Sequence, residues 1–221
     1  MEISNNIKIY LMRHGETDAG NDIFVGVTDA NLTEKGISQT KQMAKFFIDK
    51  PIKEIYSSQL KRAKHTAEII KEVICSNKEN DIPLYQCDLL AEMDFGEWEK
   101  MNRYDIKEKY KELYIKWEEN PSKNTPPKAG APQNVAKNMV KFLDKIYNKF
   151  KKDAENGNNI EIIAVSHKTA IRILLCYLDN KDLKYYRNYK INEGDIFEIN
   201  YTNNGWKWKK INILNSINNY C

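Results

Sequence analysis

Histidine is scarce in this 221-residue chain, with three in all, and no stretch approaches 18 uninterrupted apolar residues. The second absence excludes a membrane-spanning helix. The first, with no H-x-x-H or H-x-x-x-H spacing, gives a metal ion little to hold. Cysteine is sparse too: Cys75, Cys87, Cys176 and Cys221 lie far apart with no C-x-x-C pair, a pattern of free thiols in a reducing cytosol rather than of a disulfide framework. The opening MEISNNIKIYLMRHG lacks a charged-then-apolar signal layout, so a cytoplasmic protein is expected. Neither sign of charge dominates. The 35 Lys and Arg against 31 Asp and Glu leave +4, scattered along the chain without the concentrated basic face that nucleic acid calls for.

What is present is ordinary globular material. Apolar residues at 41% and charged residues at 30% exclude whole-chain disorder and supply a sizeable core. At roughly 150 residues per domain the length implies one compact domain with room for an inserted lobe. Ile7 to Met12 reads as a buried strand that stops at Arg13-His14-Gly15. Thr33 is a helix N-cap ahead of Ile37, Ala44, Phe47 and Ile48, with Pro51 closing that helix. Ile52 to Tyr56 is a second strand, followed by a helix on which Ala63, Ala67, Ile70 and Ile74 share a face.

Residues 101 to 119 form another helical candidate, with Ile106, Tyr110, Leu113 and Trp117 on one side. PSKNTPPKAGAP, residues 121 to 132, holds four of the six prolines and is a loop, a plausible lid margin. Val135, Met139, Leu143, Ile146 and Phe150 mark an amphipathic helix. IEIIAV, residues 160 to 165, is the most continuous apolar run and suits a central parallel strand; it ends at His167 and a further helix. Asp195 to Tyr201 and Trp206 to Leu214 read as an edge hairpin around Asn203-Asn204-Gly205. Strands alternating with helices give the α/β class: a mostly parallel central sheet with helices on both faces and a small helical cap insertion.

His14 and His167 both sit just past the C-terminal ends of buried strands, the edge of an open α/β sheet where ligands bind. One such histidine usually satisfies a loop hydrogen bond, but two in the same setting point to a site. His65, in mid-helix, reads as a surface or packing residue. Arg13 beside His14 calls for an anion, since a desolvated guanidinium is costly alone. The RHGET stretch offers that anion a charge, an imidazole, a small residue for close backbone approach and the Thr17 hydroxyl.

LMRHGET, LTEKG at 32 to 36, SSQLKRAKHTAEII at 57 to 70, LLAEMDFGEWE at 89 to 99 and AVSHKTAIRILL at 164 to 175 resemble, in order and spacing, the histidine phosphatase superfamily, also called phosphoglycerate mutase-like. The likeness covers roughly residues 7 to 180. EMDFGEWE and FVGVTDANLT resemble most closely the alpha-ribazole phosphatase branch, which acts late in cobalamin biosynthesis. The resemblance implies one domain over residues 1–221 with a cap at approximately 93–134. It implies His14 as the nucleophile that becomes a phosphohistidine and Glu92 as proton donor and acceptor. Arg13, Arg62 and His167 would surround the phosphoryl oxygens. Asp94, Glu97 and Glu99 read as ordinary exposed carboxylates. No cofactor and no metal are expected, and the partner is a small-molecule phosphate monoester, with no nucleic acid and no membrane.

Three departures from the family pattern bear on substrate choice. The phosphate-touching Asn after R-H-G-E-T is displaced, leaving Asn21 as its replacement. The second H-G-G reads His167-Lys168-Thr169, which adds an ammonium near the site and leaves open whether it faces the site or solvent. The P-x-G-E-S box reads Pro127-Lys128-Ala129-Gly130-Ala131-Pro132, without Glu or Ser. Tyr104, Trp98, Tyr110 and Trp117 would form an aromatic wall for a ring-bearing substrate or, for most of them, pack on the core. The rivals to a phosphatase are a phosphoglycerate mutase, disfavoured by the short span between Glu92 and His167, and a non-catalytic phosphate-binding regulatory module.

Overall fold

A computed structural model describes residues 6–20, 22–76, 81–203 and 205–212. Among them, β1 (Ile7–Arg13), β2 (Ile52–Ser57), β3 (Leu84–Gln86), β4 (Ile160–Ser166), β5 (Ile196–Thr202) and β6 (Gly205–Ile211) join in one sheet ordered β3-β2-β4-β1-β5-β6. The first four are mutually parallel, and β5 and β6 add antiparallel to β1 and to each other. β4 is central, as its unbroken apolar run requires: a strand covered on both faces has no polar side to show.

The alternation of side chains along the strands sorts the helices. Ile9, Leu11, Ile162 and Ala164 pack on α5 (Pro132–Glu155) and α6 (Lys168–Leu178) through Phe142, Leu143, Ile146, Ile171 and Leu174. Tyr10, Met12, Ile163 and Val165 face the other way, onto α1 (Glu34–Ala44), the 3-10 turn that follows it and α2 (Lys61–Cys75), through Met43, Phe47, Ala63, Ala67 and Ile70. Helices therefore cover both faces, the mixed and mostly parallel α/β sheet that the sequence implies. A third cluster joins α3 (Arg103–Lys109) and α4 (Lys111–Glu119) to α6, through Phe24, Trp98, Ile106, Tyr114, Trp117, Ile173 and Cys176.

Several expectations change. The single helix at 101–119 is two, broken at Tyr110, which leaves helical geometry at φ −124°, ψ 36° while its hydroxyl donates to Glu97. Thr33 caps α1 by accepting from the Gly36 amide, but α1 stops at Ala44 and tightens into a 3-10 turn, so Ile48 emerges on the surface. β6 ends at Ile211; Asn204, Ile213 and Leu214 lie outside the described residues, as does Cys221. Cys75, Cys87 and Cys176 are free thiols. Among the described residues no helix is long and apolar enough to cross a membrane.

Candidate active site

Parallel pairing of β1 with β4 sets Arg13 opposite Ser166, and the His14 amide donates to the Ser166 carbonyl at 3.1 Å. His14 and His167 are consequently the first residues beyond two adjacent strands, with ring centroids 5.2 Å apart. Arg62, the second residue of α2, arrives from the neighbouring strand-to-helix turn and is buried. Its Nε–H lies 3.2 Å from His14 Nε2 and 3.2 Å from His167 Nδ1, so one donor is shared by two imidazoles.

The partners fix the tautomers. His14 Nδ1 is 2.7 Å from the Gly15 carbonyl, to which only a protonated nitrogen can donate. Nε2 therefore carries the lone pair. His167 accepts from Arg62 at Nδ1 and so bears its hydrogen on Nε2, which is buried without a partner among the described residues. Burial, then Arg62, then Arg13 hold the His14 pKa well below the usual histidine value; burial, Arg62, His14 and Arg13 do the same to His167. Both rings are neutral near pH 7.

Arg62 is held from behind. Its Nη1 donates to the Thr28 carbonyl at 2.8 Å and Nη2 to the Gly26 carbonyl at 2.7 Å. That loop is in turn organised by Glu99, whose carboxylate accepts from the Val27 amide (2.7 Å), the Thr28 amide (2.9 Å), the Thr28 hydroxyl (2.6 Å) and the Phe95 amide (3.1 Å). Glu99 is thus not the exposed carboxylate that the sequence implies. Of its neighbours, Glu97 is exposed and pairs with Lys128, and Asp94 is half-buried with the Gly96 amide.

Arg13 is clamped by Glu193 at 2.6 Å, and its Nε is buried with no partner among the described residues. Glu193 reaches it because β5 begins where β1 ends, with Met12 opposite Ile196. Burial lowers the Arg13 and Arg62 pKa values from the usual arginine range, opposed at Arg13 by Glu193 and at Arg62 by Glu92; neither loses its charge at any relevant pH. One N–H on Arg13 and one on His167, whose ring centroid lies 5.2 Å from that of the neutral His14, are thus buried without a partner among the described residues, and a buried donor left unmatched is costly.

Glu92 is held at the start of α6. Its Oε2 accepts from the Thr169 amide (3.0 Å) and Oε1 from the Ala170 amide (2.9 Å) and its own neighbour Met93 (2.7 Å). Burial raises its pKa, against the pull of those amides and of Arg62. Gly15 does make a close approach, but to α1: a Cβ there would meet the Gly36 carbonyl and Thr40 Oγ1, both at 2.8 Å.

Arg13, His14, Arg62, Glu92 and Thr17 line one cavity of about 510 Å³. Lys168, half-buried, is among the residues that line it as well. Asn21 lies outside the described residues, and His65 is exposed on α2. Of the aromatic candidates Trp117 lines the cavity, stacked under the Arg187 guanidinium at 4.1 Å; Trp98 is packing, Tyr110 is partly buried and Tyr104 is exposed. Among the described residues no cluster of three or more His, Cys, Asp or Glu side chains is arranged to hold a metal.

Residues 9–214 match the model of the histidine phosphatase superfamily, branch 1. The chain is 27% identical over 193 residues to putative phosphoserine phosphatase 2 of Hydrogenobacter thermophilus (87% of this chain, 88% of that one). It is 26% identical over 189 residues to the adenosylcobalamin/alpha-ribazole phosphatase of Salmonella typhimurium (85% and 87%). In fold it superposes with a TM-score of 0.77 on the crystal structure of a putative alpha-ribazole-5'-P phosphatase from Escherichia coli, 22% identical over 93% of this chain and 96% of that one. With the family pattern running through nearly the whole fold and its two histidines meeting at one sheet edge, the chain belongs to the histidine phosphatase superfamily, branch 1, and is a phosphatase.

Proposed function

We propose that the protein hydrolyses small phosphate monoesters without a metal ion, through a phosphohistidine on His14. The observation that carries this reading is the state of His14: neutral, hydrogen-bonded at Nδ1, with the Nε2 lone pair beside an arginine shared with a second imidazole. Because Arg62 Nε–H already has His167 as a second acceptor, releasing the His14 lone pair leaves that donor bonded.

In the first step Nε2 bonds to phosphorus and the ester P–O bond breaks, the leaving oxygen taking a proton from Glu92. Arg13, Arg62 and His167 Nε2–H hold the three equatorial oxygens, where the charge of the transition state is spread. In the second step water attacks phosphorus, gives a proton to the Glu92 carboxylate, and the P–N bond breaks to release inorganic phosphate and neutral His14. The raised pKa of Glu92 suits a group that must begin protonated. Arg103 of α3 and Trp117 of α4 border the cavity, which supports residues near 93–134 as its cap. Thr17, which lines the cavity, completes the proposed phosphate contacts among the described residues, and alpha-ribazole 5'-phosphate is the reference substrate that the relatives' names offer.

The test is acid quenching of the purified, chelator-treated enzyme during turnover of a ³²P-labelled monoester. An acid-labile, base-stable label that disappears in His14→Ala together with turnover is expected; turnover surviving in His14→Ala removes the mechanism, and bound phosphate without turnover favours the non-catalytic module. Conversion of 3-phosphoglycerate to 2-phosphoglycerate would instead mark a mutase.

A further inference from the structure

The two arginines of the site are held by different chemistry. Arg62 hydrogen-bonds to the Thr28 and Gly26 carbonyls and to two neutral imidazoles, partners that leave its charge uncancelled. Arg13 instead meets a carboxylate. Glu193 Oε1 lies 2.6 Å from its Nη2, the Ile191 carbonyl lies 3.4 Å from Nη1, and Nε is buried without a partner among the described residues. Both members of this ion pair line the cavity, and both are largely covered, with side-chain exposures of 12% for Arg13 and 28% for Glu193.

The turn that carries Glu193 is braced. The Asn192 amide donates to Asp195 Oδ2 at 2.8 Å, the Asp195 amide to the Asn192 carbonyl at 3.2 Å, and Lys210 of β6 reaches the same Asp195 oxygen at 2.7 Å. Gly194 takes φ +75°, and a Cβ there would stand 3.1 Å from Met43 Sδ of α1. The Arg13 amide donates to the Asp195 carbonyl at 3.2 Å, so one turn holds Arg13 by both backbone and side chain. Carbonyl oxygens suffice to hold Arg62, so geometry alone does not call for a carboxylate at Arg13. What the carboxylate adds is charge, in a place where a phosphate dianion would feel it.

We infer that Glu193 is a positioning residue with a fixed counter-charge: it holds Arg13 in place, cancels part of its charge, and so weakens the grip of the site on inorganic phosphate. This rests on the phosphatase reading and deepens it. Free phosphate can meet the same guanidiniums and imidazole as the ester does, and tight binding of such a ground state does not speed the chemical step. A carboxylate beside Arg13 lowers that affinity and favours departure of the product.

Three variants test it. Glu193→Gln keeps an acceptor for Nη2 and removes the charge, Glu193→Ser removes the charge with a smaller side chain, and Glu193→Asp keeps the charge on a shorter arm. The readouts are the Kd of inorganic phosphate, from ³¹P NMR titration of the folded protein, and its Ki as an inhibitor of aryl phosphate hydrolysis. Two anions on one guanidinium stand on the order of 6 Å apart, so removing one should tighten phosphate binding by about 10- to 100-fold after screening, at an effective dielectric of about 20. That fall in Kd and Ki is expected in Glu193→Gln and Glu193→Ser, while Glu193→Asp stays close to wild type. A role in geometry alone gives unchanged or weaker phosphate binding in Glu193→Gln, and that result overturns the counter-charge, as does equal tightening in Glu193→Asp. If no protein turns over any ester but phosphate still binds more tightly to Glu193→Gln, the phosphatase reading falls and the counter-charge stands.

Discussion

Replacing Glu99 by alanine should damage catalysis through a residue that Glu99 never touches. The carboxylate accepts from three amides and the Thr28 hydroxyl, at 2.6 to 3.1 Å. Two carbonyls of the loop so organised, on Gly26 and Thr28, are the ones that hold Arg62 at 2.7 and 2.8 Å. Hydrogen bonds to a charged group contribute about 1.5–3 kcal/mol each in favourable cases, but the loop can turn part of its freed donors to water, so about 2–3 kcal/mol is the expected loss of stability. A shift of the Arg62 guanidinium by about 1 Å costs on the order of 10²-fold in rate.

A purely structural effect would lower only the melting temperature. Loss of Arg62 from its place should also move the pH–rate profile, because Arg62 is among the causes that hold the His14 pKa down. Without it His14 protonates at higher pH and the acid limb of kcat/KM shifts upward. Steady-state rates from pH 5 to 9 at a temperature where the variant is folded measure both effects. Glu99→Ala combined with Arg62→Ala should be no slower than Arg62→Ala alone, since the two act as a unit. Wild-type kcat/KM with an unmoved acid limb in the folded variant, or fully additive losses, would refute the relay.

Three further outcomes follow from the same geometry. Arg62→Ala should lower kcat by about 10²–10³-fold, the loss typical of one preorganised oxyanion donor, read from steady-state turnover of an aryl phosphate; a loss below tenfold contradicts its placement. Gly26→Ala should be poorly tolerated, because Gly26 has φ +53° and an added Cβ would sit 1.8 Å from Glu99 Oε1. A drop in thermal midpoint together with at least tenfold lower activity is expected, and normal values of both would show that the loop adapts. Stability should fall as pH drops below the ordinary histidine pKa of about 6.5, because the unfolded chain then binds protons that the buried, neutral His14 and His167 refuse, at up to about 1.4 kcal/mol per pH unit for each ring. Glu92, with its raised pKa, acts in the opposite sense over the carboxylate range, so the measurement is the difference in chemical-denaturation midpoint between wild type and His167→Asn at pH 7 and pH 5.5; an identical pH slope in the two proteins defeats the argument.

The sheet was legible because its strands are covered on both faces, and the alternation of Ile162 and Ala164 against Ile163 and Val165 leaves no polar side to confuse the pattern. Arg13, His14 and His167 were legible because each stands at the end of an apolar strand, whereas Arg62, at the start of α2, was picked out only by the likeness of its segment to the family pattern. Glu99 and Glu193 were not. Glu99 acts on backbone amides more than seventy residues away, and amides leave no trace in composition. Glu193 sits in a polar turn that matters only because β5 returns antiparallel beside β1. The break at Tyr110 had no glycine or proline to announce it, and its cause is tertiary, a hydroxyl anchored on Glu97.

The register of β1 against β4 divides the labour of the chain. The gap between the His14 and His167 rings, 5.2 Å, is close to the lateral repeat of a sheet, about 4.8 Å, so the imidazole pair takes its spacing from backbone hydrogen bonding between the strands, and Arg62 of α2 bridges it. Lengthening either strand by one residue would throw one ring to the opposite side of the sheet. The walls that meet the rest of the ester come from elsewhere, from Arg103, Trp117 and Arg187 on α3, α4 and the turn after α6. Those walls can be redrafted, by exchange of the 93–134 segment for instance, to accept a different alcohol while the phosphorus-handling end stays as it is.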